Sequence, residues 1–304
     1  YITASSGSGL QETAVRNAIR PGRKVLNMVT GSFGDRWQKV SEANGKESVR
    51  VDLPWGQPVR PEDVDQYLAA GGFDAVTVVH NETSTGTMSD VGAIAALVHD
   101  RYPEVLLLVD GVSSASGVRL PFDEWGLDML LTSSQKAFAL PPGLGFAAVS
   151  NRLLARATEV PHRGWYFDLL VLEKYAGGGR TTPATPAISL MNAADLQFDR
   201  ILAEGLEARW ARHGQCMEMT HAWAEEYGFE LFPEPGYESR TVTCIKNNLD
   251  IDVPAMIALA DQHNMVIGNG YGKLKNKAFR IAHMGELTPA HMEELFEVLD
   301  GFMQ

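Results

Sequence analysis

Cysteine is scarce: Cys216 and Cys244 are the 2 cysteines in 304 residues. They match neither a disulfide framework nor a metal-ligand spacing, and a reducing, cytoplasmic setting is expected. Long apolar runs are missing too. None reaches the roughly 20 residues a helix needs to span a bilayer, and no signal peptide opens the chain. Basic residues are in deficit, with 26 Lys and Arg against 38 Asp and Glu, a formal net charge of −12. A surface of that sign repels phosphate backbones and anionic lipid, which argues against nucleic acid or membrane as the main partner. Repeats and low-complexity tracts are absent as well.

What remains is a chain with ample material for a core, since 45% of its residues are hydrophobic. Short runs rich in Val, Leu and Ile recur as KVLNMVT (24–30), AVTVVH (75–80), VLLLVD (105–110), DMLLT (128–132) and GFAAVS (145–150). They are apolar on both faces, as strands of a covered parallel sheet are. Helical candidates at 10–19, 61–70 and 89–101 lie between them. This alternation predicts an α/β fold, a mostly parallel central sheet with helices on both faces. In such sheets ligands bind beyond the C-terminal ends of the strands. A loop is expected at GGGRTTP (177–183), then one long amphipathic helix over 188–228. The rest is mixed: SRTVTCIKN (239–247), VIGNGYGK (266–273) and AFRIAHMG (278–285), with helices at 253–263 and 288–303. The expected division is a large domain, 1–198, and a smaller C-terminal α+β domain, 199–304.

The polar residues gather where the strands end. TASSGSGLQETAV (3–15) is a glycine-rich turn entering a helix, where free backbone N–H groups suit a phosphate; it also reads as an ordinary tight turn. It lacks the third glycine of a dinucleotide fingerprint, because residue 12 is Glu. Asp110 ends a very apolar strand, placed either to cap the next turn or to pair with a protonated ring nitrogen. HNETSTG (80–86) brings more polar groups than a turn requires. GSFGDRW (31–37) ends another strand, with Phe33 between glycines. In LLTSSQKAFALPPGLGF (130–146) a single Lys136 stands between apolar segments, an unusual place for an ammonium. A phosphate turn, a strand-end acid, an aromatic and a strand-end lysine are what pyridoxal 5'-phosphate requires. The lysine forms a Schiff base, and the acid keeps the pyridine nitrogen protonated so that the ring takes up electrons.

Other motifs fail on their spacing. Ser133-x-x-Lys136 has no S-D-N or K-T-G companion. GNGYGK (268–273) misses the phosphate-loop pattern, with Leu274 in the Ser/Thr position, and HMEEL (291–295) has no second His.

The segments SGSG, FGDRW, HNETSTG, VDGVSS, TSSQKAFALPPGLGF, TTPATPAISL and FRIAHMGE, in this order over nearly the whole chain, resemble class V aminotransferases of fold type I. The nearest group holds the phosphoserine and the alanine/serine–glyoxylate aminotransferases. The resemblance implies a role for each matching position. Lys136 is the Schiff-base lysine and proton carrier, and Asp110 partners the pyridine nitrogen. Phe33 stacks on the ring and Thr83 contacts its hydroxyl. Ser8, Gly9, the backbone of Leu10 and Gln135 hold the phosphate. Thr182 and Thr185 reach the phosphate of a neighbouring subunit, and Arg280 grips the substrate α-carboxylate. It further implies a homodimer with shared active sites that transfers an amino group from a small amino acid to a 2-oxo acid. Phosphoserine with 2-oxoglutarate is the leading pair, with His162, Arg163 and Arg36 as suppliers of positive charge to its phosphate. Alanine or serine with glyoxylate is the alternative. A cysteine desulfurase is a remoter reading, since Cys216 falls in a helix and Cys244 in a strand; a cofactor-less binding protein is another. Relatives carry a leader, opening with TPGP, ahead of the SGSG turn; the expectation is that here it is either disordered or deleted.

Overall fold

The computed structural model describes residues 1–179 and 181–304. Arg180, inside the loop expected at 177–183, lies outside the described residues.

The large sheet holds β1 (Ile2–Ala4), β2 (Lys24–Val29), β3 (Glu47–Asp52) and β4 (Phe73–Val79). A short ribbon, β5 (Asn81–Glu82) and β6 (Thr87–Met88), precedes its remaining strands, β7 (Leu106–Asp110), β8 (Met129–Ser133) and β9 (Leu144–Val149). Across the sheet the order is β1-β9-β8-β7-β4-β2-β3. The run β3-β2-β4-β7-β8 is parallel, while β9 lies antiparallel to both of its neighbours. The helices here are α1 (Gly7–Ala18), α2 (Ser32–Ala43), α3 (Pro61–Leu68), α4 (Val91–Arg101), α5 (Asn151–Thr158) and α6 (Leu169–Gly179).

Strand side chains alternate between two buried layers. Leu106 and Leu108 of β7 join Leu10, Trp37, Leu153 and Leu169 from α1, α2, α5 and α6. Leu107 and Val109 join Val64 and Ile94 from α3 and α4. Both faces are covered, which is why these strands read as continuous apolar runs.

The chain continues through α7 (Ile188–Glu204), α8 (Leu206–Glu226), β10 (Val242–Lys246), α9 (Val253–Gln262), β11 (Gly268–Asn269), β12 (Ala278–Ala282) and α10 (Pro289–Met303). The antiparallel sheet β10-β12-β11 packs on a third core that includes Trp223, Phe229, Met256, Phe279 and Leu299. Cys216 in α8 and Cys244 in β10 are buried and free. Among the described residues no helix is long and apolar enough to cross a membrane.

Three local expectations are corrected. The single helix over 188–228 is two helices, because Gly205 takes φ +84 and ends α7. The glycines 177–179 belong to the last turn of α6 rather than to a loop. The GSFGDRW segment does not end a strand but opens α2, because its first amides find a side-chain acceptor far away in sequence.

Candidate active site

That acceptor is Glu82. Its buried carboxylate accepts the N–H of Phe33 at 3.0 Å, of Gly34 at 3.1 Å and of Ser84 at 3.1 Å, and the Ser84 hydroxyl at 2.6 Å. Orphan donors at a helix start are satisfied this way. The close approach requires Gly31, where a Cβ would lie 2.4 Å from Glu82 Cγ. Glu82 therefore supports Phe33 from behind, and burial raises its pKa.

The C-terminal ends of β2, β4, β7 and β8 and the turn after β1 surround a cavity of about 410 Å³. Ser8, Phe33, Thr83, Asp110, Gln135 and Lys136 all line it. These six are brought together from across the sequence, from the turns and helix starts that follow the strands.

The turn at α1 differs in detail from the expectation. Ser6 caps the helix: its Oγ accepts the Gly9 N–H at 3.4 Å, and its carbonyl accepts the Leu10 N–H at 3.1 Å. The Leu10 amide is thus already bonded, and its side chain is in the core. The amides left without an acceptor among the described residues are those of Gly7 and Ser8, both at the cavity wall. Gly7 is there because a Cβ would sit 2.5 Å from Val112 Cγ2, in the loop after Asp110.

Asp110 is buried at the end of β7. Its Oδ2 accepts the Gln11 Nε2–H at 2.8 Å and its Oδ1 the Val112 N–H at 2.9 Å. Burial pushes the carboxyl up to about 6, against the pull of these bonds. Gln11 was not singled out in the sequence, yet it lies on the same helical face as Gly7 and Ser8, which the 3.6-residue period makes visible.

Lys136 sits in the turn after β8. Ser134 closes that turn, donating to the Pro141 carbonyl at 2.7 Å and accepting the Leu144 N–H at 3.2 Å. Burial, then the charge of Arg280, lowers the Lys136 pKa, with Asp110 opposing. A larger share of the neutral, nucleophilic amine results.

Thr83 bonds the Ser113 hydroxyl at 2.5 Å. Asn81 Nδ2 donates to Ser113 O at 3.1 Å and to Thr241 Oγ1 at 2.6 Å. His80 meets Ser114 Oγ at 2.9 Å, and burial drives its pKa down to about 4, so the ring is neutral at pH 7. Phe33 stacks against Tyr271 with centroids 5.6 Å apart, and the Arg36 guanidinium lies 4.9 Å from the Phe33 centroid. Arg36 donates to Ser8 Oγ and to the Tyr271 hydroxyl, each at 3.1 Å.

Arg280, on β12, donates to Asn269 O at 3.0 Å and to Thr83 O at 3.3 Å. Burial lowers its pKa. Among the described residues no carboxylate pairs with it, and Nη2 has no partner. Thr182 and Thr185 are not in this cavity; they line a separate groove with Ile2 and Tyr166, and the Thr182 hydroxyl donates to Ala184 O at 2.7 Å.

The donors fit pyridoxal phosphate. Two free N–H groups at a helix start and the Ser8 hydroxyl suit its phosphate. The Ser133 hydroxyl at the wall is buried without a partner. Among the described residues Asp110 has only neutral donors for partners, which suits a protonated ring nitrogen.

Comparison with known proteins agrees. A family profile described as Aminotransferase class-V matches residues 3–270. An L-aspartate–glyoxylate aminotransferase of Paracoccus denitrificans is 34% identical over 296 residues, covering 95% of this chain and 74% of that protein. A serine–glyoxylate aminotransferase of Hyphomicrobium methylovorum is 35% identical over 294 residues, covering 94% and 72%. The crystal structure of an alanine–glyoxylate aminotransferase from Nostoc sp. superimposes with a TM-score of 0.93 at 29% identity, covering 100% of this chain and 81% of that one. The chain belongs to the class V aminotransferases, and is a transaminase whose cofactor is pyridoxal phosphate.

Proposed function

We propose that this aminotransferase moves the amino group of a small amino acid, such as serine, alanine or aspartate, to glyoxylate. The relatives named above support this alternative over phosphoserine with 2-oxoglutarate. The distribution of positive charge carries the choice. Of the three cations considered for a substrate phosphate, Arg163 is engaged by Asp168 at 3.0 Å and by the Ala157 carbonyl at 2.7 Å. His162 lines a different pocket, beside Arg20 and Lys46. Arg36 alone lines the cavity. Arg280 matches one α-carboxylate, and of the three only Arg36 remains at the cavity for a substrate side chain, fewer cations than a doubly charged phosphate calls for.

The cofactor supplies an aldehyde that condenses with amines and a ring that takes up electrons. The protein supplies position and protons. Arg280 binds the substrate carboxylate through its free Nη2 and orients the Cα–H toward Lys136. Lys136 Nζ, neutral more often than an exposed lysine, is the base that would take the Cα proton and deliver it, across the amino nitrogen, to the cofactor's aldehyde-derived carbon. Asp110, whose partners Gln11 and Val112 are neutral donors, would face the ring nitrogen and favour its protonated form. Phe33 stacks on the ring and Thr83 contacts its hydroxyl. The Gly7 and Ser8 amides, the Ser8 hydroxyl and Gln135 hold the phosphate. Two copies share their sites, with Thr182 and Thr185 of each serving the phosphate of the other.

The test is an absorbance spectrum of the purified yellow protein as donors are added singly. Serine, alanine or aspartate should shift the band and glyoxylate should restore it. A shift with phosphoserine alone, restored by 2-oxoglutarate, would return the assignment to the phosphoserine branch.

A further inference from the structure

The first turns of α8 carry Arg209 and His213, and both reach backbone carbonyls of other segments. Arg209 is 0% exposed. Its Nη2 donates at 2.7 Å to the carbonyl of Ala137, the residue after Lys136. Its Nη1 donates to Glu204 Oε2 at 2.8 Å and to Glu286 Oε1 at 3.1 Å. Glu286 lies just past the end of β12, the strand of Arg280, and Gln197 fixes it from α7 at 2.6 Å. His213 places Nδ1 at 3.0 Å from Gly117 O, in the loop after Asp110, and Nε2 at 3.0 Å from Gly285 O. One helix start therefore touches the segments that follow Asp110, Lys136 and Arg280.

A buried guanidinium is a poor choice for cohesion alone, since apolar side chains of similar volume stabilise as well or better. Its fixed fork of donors gives instead a rigid link between segments. The lysine turn has little room to drift. The Ala139 N–H closes on Lys136 O at 2.8 Å, with Ala139 held at φ +54. Gly285 packs directly behind it, where a Cβ would lie 3.1 Å from Ala139 Cβ.

We propose that Arg209 is a positioning residue for Lys136: it fixes the Ala137 carbonyl and, through Glu286, ties the lysine's turn to the strand that carries Arg280. It touches neither cofactor nor substrate. The inference rests on Lys136 being the reactive lysine of the proposed function. Without the tie the turn relaxes toward solvent, and Lys136 loses the burial that depresses its basicity.

The test uses the full chain, stripped of cofactor, with an amine-reactive label followed by peptide mass spectrometry across pH. Arg209→Lys removes the fork, and Glu286→Ala removes one anchor at a side chain that is 55% exposed. In Arg209→Lys the labelling midpoint of Lys136 should rise by about half a pH unit or more as the amine regains water. In Glu286→Ala it should rise by less. In the loaded enzyme kcat should fall about 10- to 100-fold in Arg209→Lys, as expected for a displaced catalytic group, with the donor KM changed by less than about threefold. A variant that melts earlier but keeps the wild-type midpoint and kcat would reduce Arg209 to a structural role. If Arg209→Lys does not fold, an unmoved midpoint in Glu286→Ala overturns the proposal. Wild-type Lys136 labelling like an exposed lysine would instead sink the reading of the site itself.

Discussion

Two buried aspartates sit at opposite ends of the same sheet and meet opposite fates. Asp74 opens β4 at the N-terminal edge, completely buried, and three arginines converge on it. Arg20 Nη2 lies at 2.7 Å, Arg23 Nε at 3.0 Å and Arg156 Nη1 at 3.3 Å. Burial alone would raise its pKa, but the bonds from Arg20 and Arg23 hold it below the ordinary range. Asp110 closes β7 at the C-terminal edge with two neutral N–H donors and no ion pair among the described residues. Burial wins there, and its pKa rises to about 6. The sheet completes its charge pairing where it is only structure and leaves it incomplete where a ligand is to bind. An unneutralised buried carboxylate marks a site better than burial or conspicuous position does.

Substitutions that neutralise each aspartate should separate the two roles. Asp110→Asn should lower kcat on the order of 10²–10³-fold through loss of a preorganised charge, without lowering the melting temperature of the cofactor-free protein. A loss below tenfold would make Asp110 a turn cap. Asp74→Asn should do the reverse. Stability should drop by about 3–5 kcal/mol, because three guanidinium groups lose their partner, while kcat per folded molecule stays near wild type.

The pH dependence sharpens the contrast. The folded Asp110 pKa lies above its unfolded value, so its contribution to stability is full below about pH 4 and is lost as pH rises through about 6. That loss is about 3 kcal/mol for a shift of some two units. Asp74 behaves oppositely, stabilising above its unfolded pKa and failing as pH falls. His80 and His283, driven by burial to about 4 and about 3, add to the acid loss, since each takes a proton on unfolding below about 6.5. Denaturant titrations of the cofactor-free proteins should show stability rising more steeply from pH 4 to 6 in Asp110→Asn than in wild type, by about 2 kcal/mol; an identical pH dependence would refute the raised pKa. The smallest effect belongs to Gln11→Met, which removes one of the two donors to Asp110. In the cofactor-free protein the pH at which Asp110 takes up its proton, read from the pH dependence of stability, should rise by about one unit, the equivalent of one charged hydrogen bond.

Much of this site was legible because strand ends are legible. Asp110 and Lys136 each terminate an apolar run, and a polar group there has few uses. Gln11 and Arg209 were harder to see, since each looks like an ordinary helical residue and acquires its partner only through tertiary contact. The Leu10 amide was misplaced for a local reason: the Ser6 cap consumes it. In the fold, β3 escaped notice because ESVRVD carries charges along an edge strand, half exposed. α2 escaped because Gly31 and Gly34 flank its first residues, and the acceptor for its first amides is Glu82, remote in sequence. The phosphate-binding cations expected at His162 and Arg163 failed for want of a topology to place them.

The Asp110–Gln11 bond joins residues 99 apart, Asn81 meets Thr241 across 160, and Arg280 reaches Thr83 across 197. The β8–β9 hairpin around Lys136 and the β5–β6 ribbon around Thr83 are local by contrast. During folding, contacts of such long span close last, since the chain entropy they remove must first be offset elsewhere. The hairpin that carries the lysine is thus expected to close before the long-range contacts that fix the lysine in place. Capture of the cofactor reports the final event, when distant parts of the chain meet, and a yellow colour appearing during refolding would time that meeting directly.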